Sequence, residues 1–461
     1  MRSIVDQTHA LDSGLAAIRK QYDVPSGFAP SVASAAETAA KRTPTEHVDR
    51  TNWPFVTLDP ATSADLDQAF TIDRVGEDLL LHYAIADVAW FVNDGDVVDT
   101  EAWQRGNTLY LPDAKAGLYP PVLAEGAASL LPDGPRPSVI FHVRLSPAGL
   151  ATLDGAERAI VRSRAKLAYD SVKPSELPDE FDEFARRVTA AADARGAGAL
   201  SPPEQAVEHR EGGGYRLEIR PRLASEAKNS AMSLATNLAV ADVMLHAGIG
   251  LFRVMAGPDA RALRRLRHTA QAFGLAWTRD ESLETFTRRL DTNQPADAAF
   301  AMAVRRAGGG ADYVTFVAET KPWHAAMAAT YAHVTAPLRR LADRYVVQTV
   351  LALANGREVP EHVQAALPKL PATMDRAQAV ASRVERAVID LAEAVTMQGR
   401  EGEIFDAVVI DDDEAATRIE LSDVAVIAKM QARGVHPGDD IRVKLMAVDV
   451  VGRSVQFARV S

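Results

Sequence analysis

The pattern of apolar and polar positions changes character three times along the chain. Over residues 1–50 it is weakly helical: Leu11, Ala17 and Ile18 give a shallow amphipathic stripe, and Pro30 to Lys41 is small and Ala-rich. This predicts two or three short helices, too little chain for a robust domain of its own. From about Pro54 the period shortens to that of strands. Phe55-Val56-Thr57-Leu58 and Ala69-Phe70-Thr71-Ile72 read as two strands, Leu79 to Val92 as a longer third, and Val139–Leu145 with Leu150–Ile160 as a hairpin. Gly106 to Pro121 is turn-rich, with Tyr110 among short apolar pieces. From about Leu223 the period becomes helical. Leu234, Leu238 and Ala241 form one stripe, Leu341, Tyr345 and Thr349 another, and a long helix is predicted from about Ala372 to Met397. Gly399 and Gly402 interrupt it. Short β runs follow at 404–410, 417–421, 441–448 and 454–460, which suit a small barrel of four or five strands. The expected class is α+β: a short helical segment (1–50), a large mixed sheet-and-helix domain (51–398) and a small β-barrel (399–461).

Composition narrows the function. The 461 residues are 47% hydrophobic and 25% charged, ordinary for a soluble globular chain, so wholesale disorder is excluded. There is no cysteine, hence no disulfide framework, thiolate zinc site, iron–sulfur cluster or cysteine nucleophile. The N-terminus lacks a signal pattern, and a cytoplasmic location is expected. The most apolar long stretch, Ala231 to Ala256, contains Asp242, His246 and Arg253, so no membrane span is expected. With 51 basic against 62 acidic residues the net charge is −11, which is not that of a bulk nucleic-acid binder. Nucleic acid would need a local basic site or metal ions to offset the acid.

The richest stretch is Thr57-Leu58-Asp59-Pro60-Ala61-Thr62-Ser63-Ala64-Asp65-Leu66-Asp67-Gln68-Ala69. Asp59 ends a strand, and Asp65 and Asp67 alternate so as to face one side of an extended chain. Three converging carboxylates repel one another unless a cation offsets them. Hard divalent ions take oxygen ligands, and Mg²⁺ favours a few carboxylates with waters and phosphate oxygens, which suits phosphodiester hydrolysis. The plainer alternative is a solvated turn whose aspartates cap backbone amides.

A second constellation is Tyr331-Ala332-His333-Val334-Thr335-Ala336-Pro337-Leu338-Arg339-Arg340-Leu341-Ala342-Asp343-Arg344. Thr335 fits an N-cap and Pro337 the first turn of a helix, which would set Arg339 and Arg340 at its positive end. That conflict is resolved if a phosphate binds there between amides and guanidinium groups. The alternative is an Arg339–Asp343 pair one helical turn apart. His324 and His333 are more naturally packing or hydrogen-bonding residues than metal ligands.

Together these motifs resemble the ribonuclease II/ribonuclease R (RNB-domain) family of 3′→5′ exoribonucleases. The likeness extends to His82-Tyr83-Ala84-Ile85-Ala86-Asp87-Val88, Thr108-Leu109-Tyr110-Leu111-Pro112, Ala127-Ala128-Ser129-Leu130-Leu131-Pro132, Ile160-Val161-Arg162-Ser163-Arg164-Ala165-Lys166-Leu167-Ala168-Tyr169 and Thr335-Ala336-Pro337-Leu338-Arg339-Arg340, in the family's order over about residues 50 to 395. The resemblance implies an RNB-type catalytic domain, then an S1/OB-type barrel. It implies that Asp59, Asp65 and Asp67, with Gln68, hold Mg²⁺ (Mn²⁺ as a substitute). Arg339 would grip a phosphate, with Arg340 and Thr335 beside the RNA. Tyr110 would stack on a terminal base and Tyr169 would line the same cavity. The implied partner is single-stranded RNA with a free 3′ end, cleaved to nucleoside 5′-monophosphates by a monomer without an organic cofactor.

The chain departs from the family in three ways. Gln68 stands in place of an aspartate, which makes a non-catalytic RNA-binding protein the competing reading and a phosphoesterase for other diesters a third. About 50 residues replace two N-terminal cold-shock domains. A family glutamate near Asn237 has no clear counterpart, with Glu226 a candidate replacement. The tail from Glu401 carries 12 acidic and 7 basic residues, which argues against a strongly RNA-gripping barrel. Arg261, Arg264, Arg265, Arg267 and His268 are a candidate basic surface or a solvated helix face.

Overall fold

The computed structural model describes residues 10–460 apart from 198–203, 210–214, 221, 292–293, 413–415 and 433. Its main sheet has five strands in the order Val48–Asp49, Ala151–Val161, Arg136–Leu145, Asp78–Ala86 and Gln68–Val75. Only the first pairing is parallel. The predicted hairpin forms with Arg136 opposite Val161 and Leu145 opposite Ala151. The long third strand stops at Ala86, and Val88–Phe91 turns into a short helix.

The central strands are nearly continuous apolar runs, because the sheet is covered. The helix Ala224–Ala247 lies against it and packs on Phe181–Arg195 and Leu341–Ala354. Its Ala231, Ala235 and Ala239 are buried, and small side chains let the backbone approach closely. Its middle is largely buried, while Asp242 and His246 near its end are exposed. Asn229, Thr236 and Asn237 are its buried polar residues, Asn229 and Asn237 lying about two turns apart.

The predicted segment 1–50 does form two helices, Ala10–Gln21 and Pro30–Ala39; residues 1–9 lie outside the described part. They belong to different cores. Leu11, Leu15 and Ile18 pack with the long helix Leu370–Met397 and the C-terminal strands, whereas Val32 and Ala36 join the main sheet. The C-terminal strands run Ile427–Met430, Thr417–Leu421, Ile404–Asp412, Asp440–Asp449 and Ser454–Val460, all antiparallel. The two outermost strands return beside each other, so the sheet nearly closes into a barrel. Two antiparallel pairs not expected from the sequence also form, Glu204–His209 with Tyr215–Arg220 and Leu251–Met255 with Ala311–Thr315.

Candidate active site

The strand Thr57–Asp59 pairs in parallel with Lys166–Ala168, which sets Asp59 opposite Ala168 and beside Tyr169. From Asp59 the chain loops back to Gln68–Val75. Ser129 clamps this loop: its hydroxyl donates to the Ala64 carbonyl at 2.7 Å and accepts from the Leu66 amide at 2.9 Å. The buried clamp forces Asp65 and Asp67 to opposite ends of a short extended piece.

Asp67 is 4% exposed. One carboxylate oxygen accepts from the Leu338 amide at 2.7 Å and the other from Arg339 Nε at 3.2 Å. The acidic loop and the arginine motif, some 270 residues apart in sequence, are therefore in direct contact. The Arg339 side chain keeps 44% of its surface exposed. Asp65 accepts from the Tyr110 hydroxyl at 3.0 Å and pairs with Lys115 at 2.8 Å, and Lys115 also reaches Glu125 at 2.9 Å. Tyr110 sits on a tight antiparallel pair with Lys115 and is 56% exposed, a free aromatic face beside the carboxylates. The Tyr169 hydroxyl accepts from Asn229 Nδ2 at 2.9 Å.

Electrostatics bind the group together. Burial pushes Asp59 up to about 7; Arg339 and Lys166 pull it down, and Asp65 pushes it further up. Asp67 is likewise raised to about 7 by burial, against Arg339 and the Leu338 amide. Burial also raises the Tyr110 and Tyr169 phenols, which stay neutral donors. Carboxylates held this close to neutrality are primed to take a cation, since a divalent charge reverses the penalty.

The donor chemistry fits Mg²⁺: hard oxygens in a partly dry, carboxylate-rich place. Among the described residues no three His, Asp or Glu side chains converge tightly enough to cage an ion by themselves. The fit is thus to an ion that keeps waters and takes phosphate oxygens, which is the habit of Mg²⁺.

The arginine motif differs from its expectation. The helix begins at Leu341, not Pro337, and Thr335 is not an N-cap. Residues 331–340 are irregular, and Arg340 occupies the cap position in an extended conformation. The turn's amides go instead to carboxylates: Leu338 to Asp67, and Ala336 to Asp343 at 2.8 Å. The helix-dipole conflict therefore does not arise. Asp343 pairs with Arg340, not with Arg339, through bonds of 3.0 and 2.8 Å. Arg340 and Thr335, expected beside the RNA, are turned inward; Thr335 is buried, and its carbonyl accepts from Gln68 Nε2. Arg339 alone of the three faces solvent.

His333 is half-buried, its Nδ1 2.8 Å from the Tyr313 hydroxyl, and desolvation holds its pKa well below the usual range. His324 is buried. Glu226 caps its own helix by accepting from the Leu223 amide and pairing with Arg220. The residue this helix sends to the site is Asn229, which sequence reasoning missed. Its neighbours Glu226, Lys228 and Ser230 are polar too, so nothing in the local pattern singled it out. Lys115, Lys166, Ser129 and Tyr83 were also missed as site residues. Of the basic cluster, Arg267 is tied to the Thr278, Arg279 and Glu281 carbonyls, while Arg261, Arg264, Arg265 and His268 are exposed.

A covered mixed sheet bearing a carboxylate loop against an arginine turn, followed by a small barrel, defines an RNB-type architecture. Residues 47–355 match the family model of the RNB domain, and the chain belongs to the RNB-domain family. Residues 403–460 match the RNase II-type exonuclease C-terminal S1 domain. Ribonuclease R of Thermotoga maritima is 22% identical over 88% of this chain and 64% of its own length. Mycoplasma genitalium RNase R, solved with ribose-methylated single-stranded RNA, superposes with a TM-score of 0.86 at 19% identity, covering 98% of this chain and 78% of that one. A yeast protein described as a pseudonuclease superposes at 0.69 with 15% identity, covering 96% of this chain and 57% of that one, so the fold does not by itself guarantee chemistry. The chain spans between 51% and 64% of the length of the first three curated relatives it matches. Among the described residues no helix is long and apolar enough to cross a membrane.

Proposed function

We propose that this chain is an exoribonuclease that hydrolyses single-stranded RNA from its 3′ end and releases nucleoside 5′-monophosphates with the help of Mg²⁺. The observation that carries the reading is the direct contact of Asp67 with Arg339 beside Asp59, Asp65 and the exposed ring of Tyr110.

Each side chain has a task that its surroundings suit. Arg339, pinned by one nitrogen to Asp67, keeps its remaining donors free for a phosphate, which a guanidinium fork matches. As charge builds on the phosphate oxygens, that fixed donor stabilises it without reorganising. Tyr110 offers a π-face to the last base regardless of sequence. Its hydroxyl, anchored on Asp65, orients the ring. Asp59, Asp65 and Asp67 would hold the ion, which when bound lowers the pKa of water and steadies the departing oxygen. In this reading the enzyme works in the cytoplasm as a monomer, without an organic cofactor.

Incubation with 5′-labelled RNA and Mg²⁺ tests the reading. The expected result is a ladder that shortens from the 3′ end with mononucleotides as product. RNA binding without mononucleotide release, in Mg²⁺ and in Mn²⁺, would leave a binding protein only. Faster turnover on DNA or cyclic dinucleotides would move the assignment to another phosphoesterase.

A further inference from the structure

Gln68 follows Asp67 directly, and its amide makes contacts that a metal ligand would not. Its Oε1 accepts from the hydroxyl of Tyr83, with Ser233 Oγ 3.4 Å away, and its Nε2 donates to the Thr335 carbonyl at 2.7 Å. Tyr83 is fully buried, and burial raises its phenol far enough to keep it a permanent donor. A donor there fixes the amide's orientation: oxygen toward Tyr83, nitrogen toward Thr335. The side chain thus spans from the strand that follows the acidic loop to the segment that presents Arg339 four residues later. Asn229 repeats the device at the loop's other end, donating to the Leu58 carbonyl at 3.3 Å and to Tyr169. A carboxylate has no N–H to give a carbonyl. An aspartate at 68 would be shorter and would set a charge against the Thr335 oxygen beside Asp67.

We propose that Gln68 is a positioning residue that braces the acidic loop against the arginine turn and sets Asp67 relative to Arg339, rather than a ligand of the metal. The proposal deepens the exoribonuclease reading and rests on it for its kinetic test. The loss of one aspartate from the family pattern is then a change of job: an amide strut replaces a charge.

The two roles predict opposite signs for Gln68→Asp. A strut expects kcat to fall about tenfold or more, as misplacement of a site does, with KM and RNA affinity in EDTA within about twofold. A ligand expects kcat or Mg²⁺ affinity to rise, and that rise would overturn the proposal. Gln68→Met removes the donor without adding charge and should match Gln68→Asp. Tyr83→Phe, the milder change, frees the amide to rotate; its effect should be smaller and less than additive with Gln68→Met. Full additivity would overturn the coupling. Amide hydrogen exchange over residues 331–341 gives a readout apart from turnover: Gln68→Met should speed it. Wild-type protein that releases no mononucleotide removes the exoribonuclease reading, while unchanged exchange in Gln68→Met removes the strut.

Discussion

Among the described residues, two places hold buried carboxyl groups raised to about 7, and they are built differently. At the site, Asp59 and Asp67 are raised to about 7 by burial while Arg339 pulls them back and Asp65 pushes them up. At the junction of the long helix with the barrel, Glu393 is also raised to about 7 by burial, but its partners are neutral. One oxygen accepts from Gln205 Nε2 and from the Ile427 amide, both at 2.8 Å. The site has charge on both sides and an opening to solvent. At the junction Glu393, with Asp390 nearby pushing its value up, takes two donors that knit a helix, a hairpin and the barrel together. The same raised value therefore accompanies an exposed guanidinium in one place and neutral hydrogen-bond donors in the other. A raised value alone does not identify chemistry.

The largest expected effect falls at the site. Asp67→Asn should reduce mononucleotide release by about three orders of magnitude, with RNA affinity within about twofold, because the oxygens near the scissile phosphate lose their charge. Equal loss of binding and turnover would make Asp67 a binding residue. Arg339→Ala should cost about 10²–10³-fold in kcat/KM, the range for removal of one preorganised donor. Arg340→Ala should unfold or soften the protein instead, since its partner Asp343 is buried.

The next test separates the two carboxyl sites by stability. Saturating Mg²⁺ should stabilise the wild type against thermal unfolding by about 1–3 kcal/mol, and Asp59→Asn should abolish that gain. Glu393→Gln should keep it. The Glu393 carboxyl holds its proton more tightly folded than unfolded, so between the ordinary carboxylate range and about 7 the folded state carries more protons. Stability therefore declines as pH rises through that window, and the cost is fully present above it. Urea titrations of wild type and Glu393→Gln should coincide near pH 4 and diverge by pH 8, the variant being more stable by on the order of 1–3 kcal/mol. Divergence at low pH would contradict the assignment. The smallest effect is expected for Tyr110→Phe, which loses only the bond to Asp65; less than about tenfold in kcat/KM is expected, against more for Tyr110→Leu.

The elements with a clear local period were readable from sequence: Gln68–Val75, the hairpin Arg136–Leu145/Ala151–Val161, the long helix and most of the barrel. So was the pairing of the aspartate loop with Arg339, through the family resemblance. The start of the helix at Leu341 was not. Thr335 and Pro337 carry ordinary N-terminal preferences, but the amides they would have capped are taken by Asp67 and Asp343, and the Asp67 contact leaves no trace in neighbouring residues. The short antiparallel pair within 251–315 escaped for a related reason: it lies within a stretch whose dominant period is helical. Gln68 looked like a deficit because only its charge could be read, not the carbonyl that waits opposite its nitrogen.

The two N-terminal helices have a consequence for how the barrel is held. Ala10–Gln21 is seated so closely on the long helix that a side chain added at Gly14 would collide with Leu391, while Pro30–Ala39 is anchored in the sheet. One short stretch of polypeptide thus moors the barrel to the main body, and the Gln205–Glu393–Ile427 bonds moor it again from another side. The barrel is thus fastened at two separated points, and both would have to part before it could swing away from the main body.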